Sequence, residues 1–257
     1  MKSLSLLVLI CYSSIAFGQQ LNAVKDDLQE TAKRIHANGN YSQGKPDSLD
    51  FLNTLFEKKL LYYTAHIPAM LTTNLGELSP LYFQTVTTDN NRLKIYSWDT
   101  EAGGTMHFLR NVFQYKSGNK LRSVTLKKKG WKYAGEDYVS LYTMKNKGKT
   151  YYLGVYLATY SNRDSHEGIK VFEIKNNRLK DNVRLIRTKK GLKSQLGFTY
   201  DFFSVYKREE RPIILTKFDP ATKTISIPVV KQDGTVTDKN IRYRFTGEYF
   251  KRVTSGK

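Results

Sequence analysis

The sequence predicts a mainly β protein, an antiparallel meander preceded by two or three short α-helices. Three observations lead to this. Before Pro80, apolar residues recur at three- and four-residue steps. After it come short runs of Tyr, Phe, Val, Ile and Thr. Those runs are separated by turn chemistry and not by further helical stretches.

The chain opens "MKSLSLLVLICYSSIAFGQQ". Lys2 is a positive start, Leu4 to Ile15 is an apolar run too short to span a bilayer, and Ala16-Phe17-Gly18 reads as a small-x-small cleavage site. Residues 1–18 are therefore expected to be a signal peptide, with the mature protein starting at Gln19 and exported to the periplasm or beyond. Cys11, the only cysteine, sits behind bulky Ile10 inside the apolar run and is not read as a lipidation site. It leaves with the leader, so disulfides, thiolate metal sites and a cysteine nucleophile are excluded from the mature chain. No later segment has the length of a membrane span.

Residues 19–79 read as helical. Leu21, Val24, Leu28, Ala32 and Ile35 fall on one helix face. After the break "NGNYSQGKPDS", Leu49, Leu52, Leu55, Phe56, Leu60 and Tyr63 form a second stripe, with Asp47 or Ser48 available as its cap. Pro68 and "TNLGELSP" end the region.

Residues 80–254 read as one all-β domain. "LYFQTVTT", "RLKIYSW", "YYLGVYLATY", "IKVFEI", "IILTKF" and "TISIPVV" are strand-like, joined by "DNN", "SNRDSHEG", "DPATK" and an Asp-Gly turn. "NNRLK" at 90–94 recurs at 176–180, and "PATKTIS" near Pro220 has similar character. A period of ~43 residues would suit a small propeller of about four units. A β-sandwich or barrel is the alternative.

"YSWDTEAGGTMHF", residues 96–108, combines a Trp-Asp pair, two glycines and a histidine. No second Trp-Asp supports a repeated propeller signature. The residues that follow are strand-like, so a phosphate cradle at a helix start is also unsupported. The stretch is expected to be a hairpin, with Gly103 and Gly104 supplying positive φ and Asp99 bonding nearby backbone N–H groups. Leu93 and Ile95 then face the core, while Lys94, Tyr96 and Trp98 stand on the other face. Two readings of that face are open. It is a stacking platform for sugar rings or bases, with Lys94, Tyr96, Trp98, Asp99 and Arg110 as ligand-binding residues, or it is covered and Trp98 is buried.

Catalytic signatures are scarce. "NKGKTYY" misses the glycine and the helix of a P-loop, no Gly-x-Ser-x-Gly occurs, and "NRDSHEGIK" offers a single histidine. No metal or cofactor is expected. A carboxylate pair for hydrolysis could be drawn from Asp99, Glu136, Asp137, Glu167 or Asp201, but sequence does not supply their separation.

Charge is the strongest compositional signal. The chain carries 42 basic and 23 acidic residues, and loss of Lys2 leaves +18. The basic residues cluster at Lys127, Lys128, Lys129 and Lys132; at Arg184, Arg187, Lys189, Lys190 and Lys193; and at Lys207, Arg208 and Arg211. In "IRYRF", Arg242 and Arg244 alternate with apolar residues, so one strand face is basic. Dispersed, such charge is solvation; brought to one surface, it is a platform for anions.

"KIYSWDTEAGGTMHF", "YDFFSVYKREERPIILTKFD", "KTISIPVV" and "FTGEYFKRV" together resemble uncharacterised secreted β-rich proteins of Bacteroidota-type bacteria. The resemblance implies export and transfers no catalytic residues. The expected function is non-catalytic binding of an acidic glycan or another anionic envelope component. A hydrolase acting on an anionic polymer is the alternative, as is an accessory protein docking a partner through its N-terminal helices. Nucleic acid is the less expected ligand, since no recognition module is present.

Overall fold

The computed structural model describes residues 2–39, 46–126 and 134–253, with side chains from 18 in the first helix and from 48 in the second. The basic run at Lys127, Lys128, Lys129 and Lys132 lies outside the described residues. Helix α1 spans Lys2–Ala37 and α2 Pro46–His66, followed by a 3-10 turn at Pro68–Leu71. The two predicted stripes are the faces that pack: Val24, Leu28, Ala32 and Ile35 meet Leu49, Leu52, Phe56 and Leu60 in one core cluster. Among the described residues no helix is long and apolar enough to cross a membrane.

Among the described residues the remainder is mainly β, built from three sheets with no closed barrel, so the barrel alternative is set aside. The first sheet is a meander of β1 (Phe83–Thr87), β2 (Leu93–Asp99), β3 (Leu109–Ser117) and β4 (Lys120–Val124). The second contains β5 (Asp137–Asn146), β6 (Lys149–Thr159), β7 (Asp164–Lys175) and β8 (Arg178–Lys180). Its far edge is β11 (Gln195–Asp201). The third runs β10 (Gly191–Lys193), β9 (Ile186–Thr188), β15 (Phe250–Val253), β14 (Val236–Phe245), β13 (Thr224–Val230), β12 (Lys217–Asp219). Among the described residues the strand pairings are antiparallel, except the parallel pairing of β15 with β9.

The core clusters give the order of packing. The helices cover one face of the first sheet at Phe83, Tyr96, Trp98 and Val112. Its other face, with Leu93, Ile95 and Phe113, packs on Tyr138, Tyr152 and Phe172 of the second sheet. Leu153, Val155, Ile169 and Val171 on the far face of the second sheet pack on Ile225, Tyr243 and Phe250 of the third. Each sheet obeys the period-2 rule, because successive side chains leave a strand on opposite faces. Both faces of β2 are covered, and all seven of its residues are buried.

The two "NNRLK" copies fall at the β1–β2 and β7–β8 turns, the first hairpin of one sheet and the third of another. Both place asparagine in the left-handed region, Asn91 at φ 51° and Asn176 and Asn177 at 51° and 61°. The shared residues are thus turn chemistry, since Asn tolerates positive φ better than most residues.

Candidate anion-binding face and the Asp99 loop

The five residues expected to bind ligand are brought together, but most are turned inward. Trp98 is fully buried, with its ring 5.2 Å from that of Phe56 and its indole N–H donated to Asn53 Oδ1 at 3.1 Å. Tyr96 is also fully buried, its hydroxyl 2.7 Å from the Met70 carbonyl. Lys94 donates its ammonium to the carbonyls of Met70 and Thr73, and burial lowers its pKa to about 8. Arg110, opposite Trp98 on β3, is held by Asp50 at 2.9 Å and Glu57 at 3.7 Å on α2. Of the two readings of that face, the covered one holds, because α2 and the 3-10 turn occupy it.

Asp99 organises the tempting loop. One carboxylate oxygen accepts the Glu101 N–H at 2.9 Å and the other binds His107 Nδ1, closing the turn between β2 and β3. The hydrogen bond to Asp99 raises the His107 pKa. Positive φ falls on Glu101, at 58°, and not on Gly103 or Gly104 as expected. Gly103 is needed for another reason: a Cβ there would lie 1.8 Å from the Met106 carbonyl oxygen.

Of the candidate carboxylates, Asp99 and Asp137 come into electrostatic contact. Burial, with the charge of Asp99 adding to it, raises Asp137 to about 6, against the hydrogen bond from Tyr82 at 2.5 Å. Asp137 Oδ1 is buried without a hydrogen-bond partner. Glu136 instead accepts from Tyr138 at 2.6 Å and lies 3.8 Å from Lys170, and Glu167 takes the backbone N–H groups of Leu215 and Thr216. Asp201 caps a 3-10 turn at Phe203 and pairs with Arg163. These side chains therefore hold chain segments together. No group of three or more His, Cys, Asp or Glu suited to a metal occurs among the described residues.

Because the Asp137 pKa is raised on folding, the charged form is the costly one. Stability relative to an uncharged residue is retained below the unfolded carboxylate range and is lost as pH rises through about 6. Asp137→Asn is accordingly expected to stabilise the protein at pH 8 by about 2 kcal/mol, with the difference vanishing near pH 4. Denaturant midpoints at the two pH values test this; an equal or opposite effect at both would show that Asp137 is paired in the fold.

Sequence reasoning left the convergence of basic residues undecided; on the third sheet Arg187 of one cluster meets Lys251 and Arg244. On the third sheet Ile225, Tyr243 and Phe250 face inward, so their neighbours along each strand face out. The pairings Leu192↔Arg187, Arg187↔Lys251, Lys251↔Arg244, Arg244↔Thr224 and Thr224↔Asp219 define one outward row across six strands. A second row runs Val253, Arg242, Ser226, Lys217. Arg187, Lys251, Arg244, Arg242 and Lys217 are all exposed, and none makes an ion pair among the described residues. The guanidinium of Arg187 sits 4.3 Å over the Tyr249 ring, which restrains its direction. By contrast Arg208 pairs with Glu210 at 3.3 Å, and Arg211 donates to the carbonyls of Tyr206 and Glu210, so that cluster is committed to its own loop. Neither a protein family nor a curated protein sequence matches this chain, and its function has to be read from this geometry.

Proposed function

We propose that the protein is an exported, non-catalytic binding protein for an acidic glycan or another anionic component of the cell envelope, held on the outer face of the third sheet. The observation that supports this most is the direct cross-strand opposition of Arg244, Lys251 and Arg187, with no acidic partner among the described residues. Like charges directly opposite on a sheet are destabilising, so this arrangement lowers the stability of the free protein. Bound anionic groups would remove the repulsion. A face kept at the expense of stability is better explained by a ligand than by solubility, which dispersed charge would supply equally well.

The test separates binding from folding by sign. The triple variant Arg187→Thr, Arg244→Thr, Lys251→Thr should elute from an immobilised polygalacturonate column at clearly lower salt than the native protein. Its thermal midpoint should hold or rise by a few degrees, since roughly 0.2–1 kcal/mol of repulsion per pair is relieved. Unchanged retention would overturn the assignment. The length of the polymer is followed in the same incubation; shortening would favour hydrolysis and direct attention to Asp99 and Asp137.

A further inference from the structure

Resting on that reading, we infer that the ligand lies across the strands of the third sheet, not along them, and is a linear polysaccharide with an acidic group on each successive sugar. Direction follows from where the cations stop. Along β14 the outward positions are Arg244, Arg242 and then neutral Asn240, with Asp238 two residues further on. Along β15 they are Lys251 and Val253, and along β13 Thr224 and Ser226. A chain laid along any strand therefore meets at most two cations.

Across the strands the case is different. Arg244, Lys251 and Arg187 are consecutive, one per strand, at the sheet spacing of about 4.8 Å. Beyond Arg187 the row leads by way of Leu192 to the β9–β10 hairpin, where exposed Lys189 and Lys190 continue the positive track. At the other end Asp219 closes the row; its carboxylate is bonded to Ala221 N–H at 2.9 Å and to Thr222, and repels a further anionic group. The track thus has a closed end at β12 and an open end at β10. A pyranose residue advances by close to one strand spacing, so each sugar of such a polymer sets its acid group over a new strand. Thr224, between Arg244 and Asp219, is neutral and its hydroxyl is bonded to Thr222, so it adds no charge to the row.

The experiment uses oligogalacturonates of two to eight sugars and five single variants of the full chain. Arg187→Ser, Lys251→Ser and Arg244→Ser lie in the row; Arg242→Ser and Lys217→Ser lie beside it. Affinity should climb steeply up to three or four sugars and then more slowly. Each row variant should weaken binding about five-fold at low salt and reduce the salt dependence by on the order of one counterion. Variants beside the row should change it less than two-fold. Equal losses in all five would overturn the crosswise track while leaving anion binding by the face intact. Tighter binding of single-stranded polynucleotide than of the octamer would overturn the glycan. Absence of binding by the native protein to any of these polymers would remove the parent reading as well.

Discussion

Trp98→Ala is expected to destabilise the protein by about 3–5 kcal/mol, lowering the thermal midpoint by on the order of 10 °C. The indole is wholly enclosed between the first sheet and α2, where Phe56 packs against it. Its removal leaves a cavity that the rigid sheet cannot close. It also strips the donor from Asn53 Oδ1, while the Asn53 amide continues to bind the carbonyls of Leu49 and Thr100. Asn53 joins the helix to the β2–β3 turn, so the loss spreads to the Asp99 loop. Trp98→Phe keeps most of the ring and should cost less than half as much. Chemical denaturation of both variants is the measurement. A change under 1 kcal/mol for the alanine variant would show that α2 does not seal this face. The same packing means that deleting residues 19–78 should expose Tyr96, Trp98 and Val112 and abolish folding of the β region.

Lys94 should make the protein more stable as pH rises from 8 to 10. Its folded pKa is lowered to about 8 because burial penalises the ammonium, while an unfolded lysine titrates near its ordinary value of 10.5. Between those values the unfolded state binds more protons, so raising pH favours the fold. The full span corresponds to roughly 3 kcal/mol, and below pH 8 the penalty is constant. Tyr96 and Tyr156 are buried with raised pKa values, which makes their ionisation disruptive at still higher pH and sets the upper limit of the useful range. Lys94→Met removes the titrating group but keeps much of its length. The native protein minus this variant should show a positive slope of stability with pH from 8 to 10. A flat difference would mean that the carbonyls of Met70 and Thr73 fully compensate the charge.

Trp98 lies in the stretch that invites a search for a binding site and Lys94 two residues before it, and both are structural. Alternation along "RLKIYSW" correctly separates Leu93 and Ile95 from Lys94, Tyr96 and Trp98. A period of two assigns residues to sides. It carries no information on whether the second side is covered, because the covering elements, α2 and the 3-10 turn, are distant in sequence. A lysine in the alternation pointed toward solvent. The structure satisfies it with two backbone carbonyls that no local pattern announces.

The sequence by itself determined the mainly β class, the two helical stripes, the antiparallel hairpins and the two faces of "RLKIYSW" and "IRYRF". These depend on side-chain periodicity and on turn residues acting over a few positions, as Asn91 and the Asp99 loop do. Tertiary structure alone decided that Trp98 is core, that Asp99 and Asp137 share one region, and that Arg187 joins Arg244 and Lys251. That last alignment requires the parallel pairing of β15 with β9, across more than sixty residues of intervening chain. Register between distant strands is set by packing of Ile186, Tyr243 and Phe250 into a common core, and only when those side chains are buried do the cations between them fall into a row.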